Sequence, residues 1–267
     1  MVNVMKASAV AHPIQGLVKY HGLSDPLIRL PFHDSISVCT APLETWTTVE
    51  FEDDAKADSL ELNGKVLEGR PLERASTVLE AIRQLAGIET RARVVSQNDF
   101  PTNVGLGASA SAFAAGAMAA AGAAGLELDE RQLSTIARLG AGSASRSVAG
   151  GFALWHTGTD HDSSYAERLD GGDLEMGIVA VVVKALKLTE DFHKEVVGSP
   201  FFKARLEYVG GALDEMRRAI DARDVEAIGQ LAEADTLVLH GITMTGPSHR
   251  VLWKPETMIA MQEVRAM

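Results

Sequence analysis

One cysteine in 267 residues, Cys39, excludes an intramolecular disulfide and any thiolate-rich metal site. No run of about eighteen apolar residues occurs, so no conventional membrane-spanning helix is expected. The opening Met1-Val2-Asn3-Val4-Met5-Lys6 lacks the apolar stretch of a signal peptide, which points to a cytoplasmic protein. Positive charge is in deficit: 25 Lys and Arg against 36 Asp and Glu leave a formal net charge of −11. That balance argues against nucleic acid or an anionic membrane as a general partner, and leaves room only for a local basic site for a small anionic metabolite. No internal repeat, low-complexity linker or charge block marks a hinge. What is present is a 46% hydrophobic chain, long enough to bury one large core or two modest ones.

Residues 5 to 12 and 35 to 40 read as short strands, and Thr47, Val49 and Phe51 alternate with polar residues as in a half-buried strand. Asn63-Gly64 predicts a type I′ hairpin turn between 59–62 and 65–67. Val78, Leu79, Ile82 and Leu85 lie at helical spacing with Gly87 as a stop, and Thr90 to Ser96 forms a further strand. Asp129 and Gln132 make a capping-box pattern before a second helical stripe. Phe152-Ala153-Leu154-Trp155 reads as a strand, followed by a polar turn whose His156, Asp160, His161 and Asp162 fit no zinc spacing, so no metal ligand is nominated there. Met176 to Val183 is apolar throughout, which predicts a strand covered on both faces and the start of a second domain. Two amphipathic helices follow, one carrying Phe202, Leu206, Val209, Leu213, Met216 and Ile220, the next capped by Asp224.

The stretch that carries chemistry is Ser96-Gln97-Asn98-Asp99-Phe100-Pro101-Thr102-Asn103-Val104-Gly105-Leu106-Gly107-Ala108-Ser109-Ala110-Ser111, running into an Ala-rich helix expected from about Ser109 to Ala124. Gly105 and Gly107 can take positive φ and let a ligand reach the main chain, while the first helical turn offers unpaired N–H groups and the positive end of the helix dipole. An anion such as phosphate suits that place. A turn that serves packing alone has the same composition. A dinucleotide fingerprint fits Gly105-Leu106-Gly107-Ala108-Ser109-Ala110 with Glu127 about twenty residues on, but lacks the strand that should enter the first glycine and the strand that should follow the helix. A Walker A loop is excluded because no Gly-Lys-Ser/Thr closes the turn.

Pro101-Thr102-x-x-Gly105-Leu106-x-x-Ser109-Ala110-Ser111 resembles the phosphate loop of the GHMP kinase superfamily. Ala11 to Gly22 with Leu30 to Val38 is similar to the N-terminal signature of the mevalonate diphosphate decarboxylase family, and Ala137 to Ser147 with Gly150-Gly151-Phe152 to its substrate segment. The resemblance implies an α+β, two-domain GHMP-kinase fold: a ribosomal-S5-like α/β domain over residues 1–174 and an incomplete ferredoxin-like α/β domain over residues 175–267. It implies ATP and Mg2+ as cofactors, a mevalonate phosphate as substrate, and a homodimer. Residue by residue it implies catalytic roles for Lys19 and Ser109, substrate contacts from Tyr20, Ser143 and Arg146, and ATP contacts from Ser96, Asn98, Gly105, Gly107, Ser109 and Ser111. Arginine suits such a substrate because its planar fork can hold two oxygens of a carboxylate or phosphate.

Several departures from the family pattern carry information. Ala108 stands where the family has a further loop serine, leaving one hydroxyl fewer for ATP or magnesium. Lys19-Tyr20-His21-Gly22-Leu23 ends in leucine where the diphosphate-specific enzymes have lysine, Ala141 replaces a serine, and His33-Asp34 replaces Asn-Ser. Losing a cation and donors weakens the hold on an outer phosphate, so these changes look most like the haloarchaeal branch acting on mevalonate 5-phosphate. The alternatives that remain are action on mevalonate 5-diphosphate and a non-catalytic binding protein of the same fold. A sugar or homoserine kinase fits the N-terminal and 143–146 segments less well, and a serine hydrolase has no G-x-S-x-G elbow. No Asp-x-Gly segment, the family's carrier of the catalytic aspartate, follows Gly246. Residues 257–267 read as a helix without a stop signal, and on both grounds a truncated chain of reduced activity is expected.

Overall fold

The computed structural model describes residues 5–183, 193 and 195–267. A five-stranded sheet has the order β1-β6-β9-β7-β8, built from β1 (Met5–Ala11), β6 (Thr45–Glu52), β9 (Arg91–Asn98), β7 (Ser59–Leu62) and β8 (Lys65–Leu67). Its strands alternate as their sequences demand: Thr45, Thr47, Val49 and Phe51 of β6 face inward and the intervening residues outward. β7 and β8 turn through Asn63 and Gly64, both at positive φ, as the Asn-Gly pair predicts.

One face of this sheet is covered by α2 (Ala108–Ala123), with α1 (Arg70–Ala86) and α3 (Glu130–Gly140) beside it. α2 is alanine on nearly every side and buries Ala114, Ala115, Ala117, Ala119 and Ala120, so the sheet and three helices approach it closely. α3 starts on the reciprocal cap, with Asp129 Oδ1 accepting from Gln132 N at 2.8 Å and Gln132 Oε1 from Asp129 N at 3.0 Å. A short α4 (Ala144–Ala149) follows it.

A second sheet, β11-β10-β5-β2, comprises β11 (Ala166–Leu169), β10 (Phe152–Trp155), β5 (Ser35–Cys39) and β2 (Ile14–Val18), and a two-stranded ribbon joins β3 (Leu23–Asp25) to β4 (Leu30–Pro31). Leu17, Val18, Ile36, Val38, Phe152 and Leu154 of the second sheet share a core with Val209, Met216 and Ile220 of α5 (Phe202–Asp221) and Ile228 of α6 (Val225–Met244). Asp224 caps α6 by accepting from Ala227 N. α7 (Pro255–Ala266) buries none of its residues.

One expectation is corrected. Residues 177–183 form no strand, and Val179 is 91% exposed. An apolar run becomes a covered strand only if neighbouring strands take its N–H and C=O groups, and none among the described residues does.

Candidate functional site

The Gly-rich turn lies against the connection between β1 and β2. Gly107, at φ 81°, is the N-cap of α2, and a Cβ there would sit 2.7 Å from Ile14 O. No larger residue fits that approach without movement. Gln15 Nε2 donates to Gly105 O at 3.2 Å from the start of β2. No side chain caps α2, so its first amides stay open to an incoming anion. Ser109 is exposed on the first turn, which suits a hydroxyl that meets a ligand rather than one that caps the helix.

Ser96 and Ser111 sit behind the loop. Ser96 Oγ is paired with Thr47 Oγ1 at 2.9 Å, and Ser111 Oγ with Thr45 Oγ1 at 2.6 Å, all four residues being buried. Thr45 also donates to Asn98 Oδ1 at 2.8 Å, and the buried Asn98 amide nitrogen has no hydrogen-bond partner among the described residues. A buried donor of this kind is costly unless something accepts from it. Asn98 is thus a candidate ligand contact, whereas the two serine hydroxyls bond to Thr45 and Thr47 of β6.

Lys19 and Tyr20 follow the end of β2. Lys19 Nζ folds back to donate to Gly16 O at 2.6 Å, two residues from the Ile14 contact with Gly107, so lysine and loop share one side of the molecule. The Tyr20 ring packs edge-on against buried Trp155 with centroids 4.6 Å apart, and its hydroxyl bonds the Ser143 backbone. Gly142 permits this meeting, since a Cβ there would lie 2.5 Å from Tyr20 Oη. Tyr20, Ser143 and Arg146 are therefore neighbours.

Arg146 is 2% exposed, with its guanidinium carbon 5.4 Å from the Tyr20 ring centre and 5.7 Å from that of Trp155. Its Nε and Nη1 have no hydrogen-bond partner among the described residues. Burial lowers its pKa to about 10, against the pull of Tyr20 and Cys39. A buried cation with two idle donors is costly unless an anion takes them up, which makes Arg146 a candidate anion contact. Burial pushes the Tyr20 phenol up, while Arg146, Arg29 and Arg74 draw it down.

Arg29 and Arg74 are functional candidates that the sequence reading missed. Arg29 Nε donates to Leu139 O and Arg74 Nε to Gly140 O at 2.6 Å, two carbonyls at the C-terminal end of α3 just before Gly142-Ser143. Basic groups belong at that negative helix end. Together with Arg146 they bring three positive charges to bear on the Tyr20 hydroxyl in an acidic protein. Arg29 adopts φ 54°, unusual for a side-chain-bearing residue, and that conformation was the signal that sequence could not supply. His193 was missed as well: its ring stacks on Tyr20 at 5.3 Å, and its Nδ1 accepts from Gly22 N at 3.1 Å. Leu23 is half-buried in β3 and brings no charge to this end of the recess.

No group of three His, Cys, Asp or Glu stands together to hold a metal among the described residues. No described helix is long and apolar enough to cross a membrane.

Comparison with known proteins gives the family and the fold. Residues 11–166 match the family described as "Diphosphomevalonate decarboxylase-like N-terminal domain". The chain is 48% identical to the phosphomevalonate decarboxylase of Haloferax volcanii over 265 residues, which is 98% of this chain and 82% of that protein. A solved mevalonate diphosphate decarboxylase from Enterococcus faecalis superposes with a TM-score of 0.89 at 32% identity, covering 98% of this chain and 82% of that one. A second solved structure, described as MDDEF in complex with MVAPP, AMPPCP and magnesium, superposes with a TM-score of 0.87 at 32% identity and the same coverage.

Proposed function

This chain belongs to the diphosphomevalonate decarboxylase family, and on that premise we propose that it decarboxylates mevalonate 5-phosphate with ATP to give isopentenyl phosphate in the mevalonate pathway. The observation that carries the proposal is the 48% identity to a phosphomevalonate decarboxylase along 98% of the chain. The leucine at position 23 fits the same choice of substrate, since a diphosphate would find no cation from that position.

In this reading the γ-phosphoryl group of ATP passes to the tertiary 3-hydroxyl, whose proton is released. The new phosphate then leaves with the C–O electron pair while the bond to the carboxylate breaks, its electrons becoming the double bond of the product as carbon dioxide departs. Such chemistry depends on positioning and on fixed charge around the phosphoryl group. The open amides from Gly105 to Ser109 and the Asn98 amide cradle the nucleotide phosphates. Ser96 and Ser111 brace that cradle through Thr47 and Thr45. Tyr20, Ser143 and Arg146 orient the substrate, with Arg146 supplying the fork for its anionic end. Lys19 adds positive charge beside the reacting hydroxyl.

Magnesium accompanies ATP, as the AMPPCP and magnesium complex of a relative suggests, and supplies charge neutralisation on the phosphates when bound. The Ser109 hydroxyl is its candidate ligand from this chain. The division at residues 174 and 175 places the loop and the substrate recess in the first part of the chain and α5 and α6 in the second. A cytoplasmic homodimer completes the reading, and light scattering measures the assembly.

The test is ATP-dependent release of carbon dioxide from mevalonate 5-phosphate, run on this chain and on a version extended at the C-terminus. Turnover with the monophosphate in either supports the proposal. Turnover confined to mevalonate 5-diphosphate rejects it.

A further inference from the structure

The most deeply buried ion pair in the described structure is far from Lys19 in sequence and grips its main chain. Arg205 of α5 and Asp235 of α6 are 1% and 0% exposed, and Arg205 Nη1 lies 2.5 Å from Asp235 Oδ1. Asp235 Oδ2 accepts from Lys19 N at 2.9 Å, and Arg205 Nη2 donates to Lys19 O at 2.8 Å. Lys19 stands one residue past β2, where the ladder with β5 ends at the Val18–Ile36 pair. Both of its main-chain polar groups would otherwise be orphaned inside the protein. The ion pair takes the place of a neighbouring strand for this one residue.

A buried ion pair is a poor device for stability alone. Its desolvation cost about cancels its attraction, and apolar residues of similar volume serve as well or better. What it supplies here is direction: with N–H and C=O both held, the Lys19 side chain is set toward Gly16 O and the next residue toward Trp155 and Ser143. The geometry points to Arg205 and Asp235 as positioning residues, a latch through which the C-terminal helices fix Lys19 and Tyr20 in the catalytic recess.

Since Lys19 takes its role from the proposed function, two independent readouts are needed. The first is hydrogen exchange at the Lys19 amide in the whole protein. Arg205→Met with Asp235→Leu removes the latch and leaves an apolar filling, so the melting temperature holds within a few degrees while the Lys19 amide loses its protection. The second is a cycle with Lys19→Met, measuring turnover and affinity for mevalonate 5-phosphate. The latch variant is expected to lose about 10²-fold in turnover, the scale of a misplaced reacting group, and the triple variant no more than Lys19→Met alone. Additive losses would overturn the latch, as would wild-type turnover or an unchanged Lys19 amide. Asp235→Asn keeps the shape and one acceptor, so it serves if the double variant does not fold. It is expected to speed exchange at Lys19 and to lower turnover about 10-fold, and no change in either overturns the proposal. If the unaltered protein ignores mevalonate 5-phosphate, the functional reading fails while the exchange experiment still decides the latch.

Discussion

Replacing Arg146 by methionine should separate stability from binding. Its guanidinium is 2% exposed and carries two donors without partners. Each such donor costs about 1–3 kcal/mol, hence roughly 2–6 kcal/mol for the pair. The two ring contacts, to Tyr20 and Trp155, return about 0.5–2 kcal/mol each. The balance favours removal by about 1–2 kcal/mol, because methionine keeps the aliphatic packing and brings no charge. Free Arg146→Met protein should therefore melt at the same temperature or a few degrees higher. Ligand reverses the order. A forked charge-assisted pair contributes about 3–6 kcal/mol, so the variant loses at least 10²-fold in affinity for mevalonate 5-phosphate. At a ligand concentration of about 100 Kd the wild type gains roughly 2.7 kcal/mol, and the variant gains almost nothing at that concentration. Scanning calorimetry with and without ligand reads both effects. A variant that is less stable by about 2 kcal/mol yet keeps the ligand-induced shift would refute the reasoning.

Other consequences are as direct. Gly142→Ala puts a methyl group 2.5 Å from Tyr20 Oη, so Tyr20 must swing away from Ser143. The expected result is a loss of about 1–3 kcal/mol in stability by denaturant unfolding and a larger loss in substrate affinity by calorimetry. Leu23→Lys puts a cation where the resemblance has the diphosphate-specific enzymes carry lysine, and should raise affinity for mevalonate 5-diphosphate at least 10-fold relative to the monophosphate in paired titrations. Asp58 is buried, which alone would raise its pKa, but the forked bonds from Arg83 and the Ala92 N–H hold it below the ordinary carboxylate range. Its folded pKa being depressed, its contribution is complete above the unfolded value of about 3.9 and is lost as pH falls through the folded one. Asp58→Asn should flatten that acid limb of a stability profile, and an unchanged limb would contradict the assignment.

Local rules made much of the framework legible. The Asn63-Gly64 turn, the Asp129 and Gln132 cap and the period-2 alternation of β6 each follow from neighbours in sequence, and each is in place. The Gly-rich turn at the start of α2 was visible from Gly105 and Gly107, both at positive φ, whereas a phosphate role for it rests on the family resemblance. Which hydroxyls face a ligand was not visible. Ser96 and Ser111 look like Ser109 in sequence, and only the presence of Thr45 and Thr47 across the sheet turns them inward. Residues 177–183 show the limit of hydropathy, which reports a wish to be covered and not whether a partner strand is at hand. Arg29, Arg74, Arg205 and Asp235 were beyond reach for the same reason: each acts on a residue 66 or more positions away, through contacts that no local pattern encodes.

The central claim is that one recess holds the nucleotide phosphates and the anionic substrate together. A crystal structure of the ternary complex with mevalonate 5-phosphate and a non-hydrolysable ATP analogue tests it most directly. The account predicts nucleotide phosphate oxygens within hydrogen-bond distance of the amides of Gly105 to Ser109, and a substrate oxygen on the two idle donors of Arg146. Density for either ligand elsewhere on the molecule, with those donors still empty, would contradict it.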